Sequence, residues 1–260
     1  MLTHADKHLI RSLKKKSERD ALNLFPAEGP KVVADLLPAF RCRLLIGDES
    51  SLKVLEHTGS TPERIVTMPN SYDYKSLSNL ITARPPIAIF EKPETDSENP
   101  TPPSSLSLLL DSIQDPGNMG TIIRTAHWFG IRHIYTSAGT ADAYQPKVVQ
   151  STMGSLAQVR LHPLNEKGLK GLLENMYKEN APIYGALLQG HPLFETALTP
   201  IEKPGLLVMG NEGRGISNSI APYINRAVTI IPAGDNHPDS LNVAIATAIF
   251  LAEFSRQSKH

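Results

Sequence analysis

The chain has 260 residues, 40% of them apolar and 20% charged, enough to bury one large core or two modest ones, which excludes a disordered tail. Net charge is zero, so a nucleic-acid partner is allowed but not advertised by charge. The balance is uneven along the chain: residues 1–92 carry 14 basic against 11 acidic side chains, residues 93–104 three acids and no base, and residues 105–260 twelve of each.

Residues 7–19 place Leu9, Ile10 and Leu13 at helical spacing beside Lys14, Lys15 and Lys16, which predicts a basic amphipathic helix. Such a lysine run can bind phosphates, although a solvated helix face is its commoner use. Helix-like KVVADLL follows, then strand-like RLLIG, ERIVTM and PIAIFE, which together read as a small α/β domain over 1–92. Residues 93–105, PETDSENPTPPSS, hold four prolines and three acids. That composition cannot form a packed element, so it is expected to run extended over the surface as a linker, 93–104.

From 105 the alternation is clearer. Strands are predicted at SLSLLLD, HIYTS, AQVRL, PIYGALL, GLLVMG and AVTII, and helices at TIIRTAHWFG, PKVVQSTMG, LKGLLENMYKE and SLNVAIATAIFLAEF. Apolar strands separated by helices imply a mostly parallel sheet covered on both faces over 105–260. Ligands of such sheets sit beyond the carboxyl ends of the strands.

Three strand-following loops stand out. In 111–130, Gly117 and Gly120 suggest a tight turn, with Thr121 opening a helix that carries Arg124. In 208–217, VMGNEGRGIS, three glycines let the backbone pass close to a bound group. In 230–246, Ser240 and Asn242 open a strongly apolar helix, where Ser240 is explained as a plain N-cap.

Several chemistries are excluded. The spacing G-x-x-G-x-G is not a dinucleotide fingerprint, and no Walker sequence occurs. The nine histidines lack metal-ligand spacing, no G-x-S-x-G elbow is present, and Cys42, the single cysteine, reads as a small buried hydrophobe. No metal is expected. The longest apolar run, 243–252, falls short of the ~20 residues that span a bilayer, and the charged N-terminus lacks a signal-peptide core. No membrane partner and a cytoplasmic location are therefore expected.

Taken together and in order, DPGNMGTIIRTAHWFG, VMGNEGRGIS and IIPAGDNHPDSLNVAIATA resemble the three signature motifs of the SpoU (TrmH-like) RNA ribose 2′-O-methyltransferases of the SPOUT superfamily. FPAEGPKVVADLL, at 25–37, is similar to the opening of that family's N-terminal L30e-like substrate-binding domain. The resemblance implies a trefoil-knotted parallel-sheet domain, a rare exception to unknotted chains, behind a smaller L30e-like α/β domain. It implies S-adenosylmethionine as cofactor, with Leu187, Met209, Gly210, Ile231, Pro232 and Leu241 lining its pocket. It also implies an active site of Asn118, Arg124, Glu212, Ser240 and Asn242, a homodimer, and RNA, ribosomal rather than transfer RNA, as substrate.

A guanidinium keeps its proton at neutral pH, so the arginine of this motif is expected to clamp a phosphate and stabilise developing alkoxide charge rather than act as base. Two alternatives stay open at this point: a non-catalytic RNA-binding protein of the same fold, and a nucleotide-dependent oxidoreductase on a doubly wound sheet.

Overall fold

The structure, a computed structural model, describes residues 1–258 apart from 235. In chain order its elements begin with α1 (His4–Ser12), α2 (Lys16–Leu22), β1 (Leu24–Glu28), α3 (Pro30–Leu36), β2 (Cys42–Gly47), β3 (Ile65–Thr67) and β4 (Ile87–Glu91). They continue with β5 (Leu106–Leu110), α4 (Pro116–Trp128), β6 (His133–Thr136), α5 (Pro146–Ser151), β7 (Arg160–Pro163) and α6 (Glu166–Lys178). The last are β8 (Ile183–Pro192), β9 (Gly205–Met209), β10 (Arg226–Thr229) and α7 (Val243–Ser258). Among the described residues no helix is long and apolar enough to cross a membrane.

The first compact unit is Met1–Glu94 together with Asp142–Gln158. Its sheet runs β1-β4-β2-β3, with β4 antiparallel to both β1 and β2 and β3 parallel to β2. The basic helix expected over 7–19 is two helices, because the Arg19 guanidinium turns back to donate to the carbonyls of Leu13 and Lys14 at 2.7 and 2.8 Å. Arg19 also pairs with Asp142, its Nε 2.9 Å from Oδ2, and the Phe25 and Tyr144 rings meet at 4.9 Å. These contacts place 142–158, which the sequence assigned to the second domain, in the first unit. Val148 and Val149 of α5 are buried there, and α5 packs on β1.

Of FPAEG, read from sequence only as a motif, FPAE lies in β1 and the glycine caps α3. Glu28 at the end of β1 is buried and accepts from the Ser78 hydroxyl and the Asn79 N–H, both at 2.6 Å, while burial raises its pKa. Cys42 is buried, as its isolation suggests, and burial pushes its thiol up to about 12, far from the thiolate form.

The second unit is 95–141 with the chain from Val159 onward. Six strands form one wholly parallel sheet in the order β10-β8-β9-β5-β6-β7. The central pair, LSLLL in β5 and GLLVM in β9, is buried along its whole length, as strands covered on both faces must be. On one side α6 presents Leu169, Leu172, Leu173 and Met176 to a core shared with Tyr135 and Val208. Helices α4 and α7 pack against each other and bury Ile122, Ile123, Phe250 and Phe254. Strand order reverses between β5 and β9, so a crevice opens beyond their carboxyl ends.

The proline-rich stretch forms neither helix nor strand, turns where the Asp96 carboxylate accepts from the Glu98 and Asn99 N–H groups, and from 95 on is fastened down within this unit. The Ser97 carbonyl accepts from the Asn165 N–H at 3.2 Å, Lys167 meets Glu98 at 2.7 Å, and the Tyr135 hydroxyl donates to the Thr101 carbonyl at 2.6 Å.

At the β6–β7 edge, His133 Nδ1 lies 3.0 Å from His162 Nε2, and the Tyr135 ring stacks on His162 with centroids 4.7 Å apart. Burial first, then His133 and Arg160, hold His162 down to about 4 from its usual 6.5, and burial lowers His133 as well. The unfolded chain thus takes up protons first on acidification, so this contribution to stability is full above about 6.5 and is lost as the pH falls toward about 4. The unfolding midpoint should drop across that window, and His162→Phe should flatten the drop. An unchanged slope in the variant would remove the pair from the account.

Candidate active site

Beyond β5, Asp115 and Pro116 start α4: the Asp115 carboxylate accepts from the Asn118 N–H at 2.8 Å and Pro116 fills the first helical position. The helix therefore begins before Thr121, and Gly117 and Gly120 lie in its opening turns rather than in a tight turn. An Asp cap and a Pro at the first position together offset the roughly 1 kcal/mol that each interior glycine costs a helix. Asn118 sits in the first turn. Arg124 lies further along the helix, exposed, with no hydrogen bond or ion pair among the described residues.

Beyond β9 the chain turns on itself. Asn211 and Gly215 exchange backbone bonds of 3.0 and 2.9 Å, and Asn211 Oδ1 accepts from the N–H groups of Gly213 and Arg214 at 3.0 and 3.1 Å. Asn211 Nδ2 donates to the Ser112 carbonyl at 2.8 Å, tying this loop to the end of β5. Gly210 has no room for a side chain: a Cβ there would lie 2.5 Å from the Gly215 carbonyl carbon and 2.6 Å from the Ile216 nitrogen. The turn projects Glu212 toward α4, where Asn118 Nδ2 donates to its Oε1 at 2.6 Å.

Beyond β10, α7 opens with Asn242 as its cap, Oδ1 accepting from Ala244 and Ile245 at 3.0 and 3.3 Å. This corrects the expectation that Ser240 caps the helix: the helix starts at Val243, and only Asn242 is placed to reach its first free N–H groups. Ser240 is exposed and makes no hydrogen bond among the described residues. The Asn242 Nδ2 group donates to Asn118 Oδ1 at 3.0 Å. Glu212, Asn118 and Asn242, one from each of the three loops, thus form a continuous hydrogen-bonded chain, while Arg124 and Ser240 stay outside it.

Of the expected cofactor-lining residues, Met209 and Gly210 lie at the carboxyl end of β9, Leu187 within β8, Ile231 and Pro232 just past β10, and Leu241 just before α7. Met209 is buried as the last residue of β9, and Gly210 follows it. In β8 the pairing with β10 jumps from Gly185 opposite Ala227 to His191 opposite Val228, so 186–190 bulges out and carries half-buried Leu187 with it. Gly190 permits the return, since a Cβ there would lie 2.7 Å from the Ala227 carbonyl carbon. Bulges of this kind re-aim side chains beside functional sites. β10 stops at Thr229, short of the expected AVTII strand, leaving Ile231 57% and Leu241 48% exposed, with Pro232 exposed between them. Exposed apolar side chains and a closely approached backbone are what a flat apolar ring held by main-chain hydrogen bonds needs, so the residue types of this set fit an adenosyl group. Among the described residues no group of His, Cys, Asp and Glu is arranged to hold a metal.

Sequence reasoning missed Asn211 and Asp111. Asn211 carried a usable signal, a short polar residue between a strand and a glycine-rich turn, which predicts a side chain bonded to the backbone two residues on. Asp111 ends an apolar run, and nothing local marks the partners it finds in distant loops.

A family model described as the SpoU rRNA Methylase family matches residues 105–252. The chain is 29% identical over 244 residues to RlmP of Bacillus subtilis, a 23S rRNA (guanosine(2553)-2′-O)-methyltransferase, covering 93% of this chain and 92% of that protein. Its structure is similar to that of a protein assigned to the TrmH family of RNA methyltransferases from Porphyromonas gingivalis, with a TM-score of 0.90, 43% identity, and coverage of 99% and 100%. It is also similar to the SpoU methyltransferase AviRb of Streptomyces viridochromogenes solved with AdoMet, with a TM-score of 0.79, 25% identity and 98% of each chain covered.

Proposed function

This chain belongs to the SpoU rRNA methylase family, and from that membership we propose how it works as an S-adenosylmethionine-dependent RNA ribose 2′-O-methyltransferase acting on ribosomal RNA. The cofactor supplies an electrophilic methyl group on a sulfonium. Leu187, Met209, Gly210, Ile231, Pro232 and Leu241 would hold it, with apolar side chains and an open backbone of the kind an adenine needs. Arg124, a cation without a partner among the described residues, clamps a phosphate beside the target ribose and stabilises charge developing on the 2′-oxygen. Glu212 fixes the direction of the Asn118 amide, and Asn242 anchors its other end. Ser240 and Asn242 would hold the ribose or the carboxylate end of the cofactor. Positioning supplies most of the rate, since the leaving group needs little assistance.

Further readings go with this one. The C-terminal segment threads a trefoil knot, and the N-terminal unit is an L30e-like RNA-binding domain that uses Lys14, Lys15 and Lys16 at the exposed junction of α1 and α2. Trp128 on α4 and Ile245 on α7, 84% and 53% exposed, are large apolar side chains that a second copy would cover in a homodimer. The protein works in the cytoplasm.

The observation that carries the reading is the Glu212–Asn118–Asn242 chain, which joins the three strand-following loops at one place. Its test is transfer from isotopically labelled S-adenosylmethionine to unmodified rRNA and, separately, tRNA, read by nuclease digestion and mass spectrometry. A labelled 2′-O-methyl nucleoside from rRNA is expected. Label in tRNA alone would reassign the substrate, and failure to bind the cofactor would leave a non-catalytic RNA-binding protein.

A further inference from the structure

We infer that Asp111 is a positioning residue of the transfer site, holding the 210–217 loop so that Glu212 reaches Asn118. The inference rests on the methyl-transfer reading above. Asp111 follows β5 as a carboxylate only 3% exposed, and its partners are neutral donors. The Ser217 N–H donates to Oδ2 at 2.7 Å, and the Ser137 hydroxyl to Oδ1 at 2.8 Å. Ser137 is fixed in turn, its oxygen accepting from the Ser112 N–H at 3.0 Å.

Burying a carboxylate away from any cation is costly, and hydrogen bonds must make up for the lost water. What Asp111 secures is the far end of the loop after β9. The near end is held by Asn211 Nδ2 on the Ser112 carbonyl at 2.8 Å, so consecutive residues of one strand end staple both ends of the loop. Between the staples lies Glu212, whose 2.6 Å contact with Asn118 starts the chain across the site. Asn118 stands on the helix that begins five residues after Asp111, so both partners of that contact are referenced to the same strand end.

Asp111→Asn keeps the shape but turns one accepting oxygen into an amide donor, so either the Ser217 N–H loses its partner or the Ser137 hydroxyl must turn from donating to accepting. Steady-state transfer is measured for the wild type, Asp111→Asn, Glu212→Gln and the double variant. Asp111→Asn is expected to lower kcat by about 10–100-fold alone and by no more than about twofold in the Glu212→Gln background, because both act through one contact. Should Asp111→Asn fold poorly, Ser137→Ala carries the same test with a smaller loss, about three- to tenfold alone and absent in the Glu212→Gln background. A merely structural role would give losses that multiply in both backgrounds. Multiplying losses, or an unchanged kcat in Asp111→Asn, overturn this inference alone. Wild-type transfer by Glu212→Gln overturns the site reading and the inference together.

Discussion

Arg124→Ala should slow methyl transfer by about 10²–10³-fold while leaving S-adenosylmethionine affinity within about twofold of wild type. The asymmetry follows from where the residue stands. Arg124 lies on an exposed position of α4, makes no bond among the described residues, and holds no part of the proposed cofactor set together. Removing it leaves no buried group unpaired, so the fold should be indifferent. What is lost, on the proposed reading, is a cation that meets charge appearing only during transfer, and such losses fall on kcat. Single-turnover transfer with calorimetric titration of the cofactor separates the two effects. Full activity in the variant would remove Arg124 from the site.

Gly210→Ala should weaken cofactor binding by about 100-fold, near 2.7 kcal/mol. The methyl group would lie 2.5 Å from the Gly215 carbonyl carbon and 2.6 Å from the Ile216 nitrogen, both backbone atoms with no rotamer to yield. The loop must open, which breaks the Asn211–Gly215 bonds and withdraws Glu212 from Asn118. Because the loop gives the apolar core only the partly buried Ile216, the thermal midpoint should move by only a few degrees. Titration calorimetry decides it: wild-type affinity in the variant would mean that the close backbone approach is not part of the cofactor site.

The parallel sheet was legible because its central strands are continuous apolar runs, LSLLL and GLLVM, which only a doubly covered sheet uses. The three loops were legible for the same reason, since each follows such a run. Their internal geometry was not. Counting glycines placed a tight turn at 117–120, where Asp115 and Pro116 instead start a helix, and Ser240 was favoured as a cap that Asn242 provides. In both places two local signals competed within a few residues, and tertiary placement chose between them. The β8 bulge could not be foreseen, because a register jump depends on the neighbouring strand. The partition of 142–158 escaped too: an Asp and a Tyr in a loop acquire their meaning only from Arg19 and Phe25, far earlier in the chain.

That partition bears on how the protein is made. Domains tend to fold as they leave the ribosome, N-terminal first. Here residues 1–94 emerge with the Arg19 guanidinium and the Phe25 ring still lacking Asp142 and Tyr144, which are translated only after β5, α4 and β6. The first unit can therefore reach its final packing only once part of the second has been synthesised, so the two mature in an interleaved order. Separating them at the proline-rich stretch would strand a buried charge, a loss of about 3–5 kcal/mol when one partner of such a pair is missing. A cleavage there divides the first unit's own polypeptide and leaves its α5 attached to the other fragment.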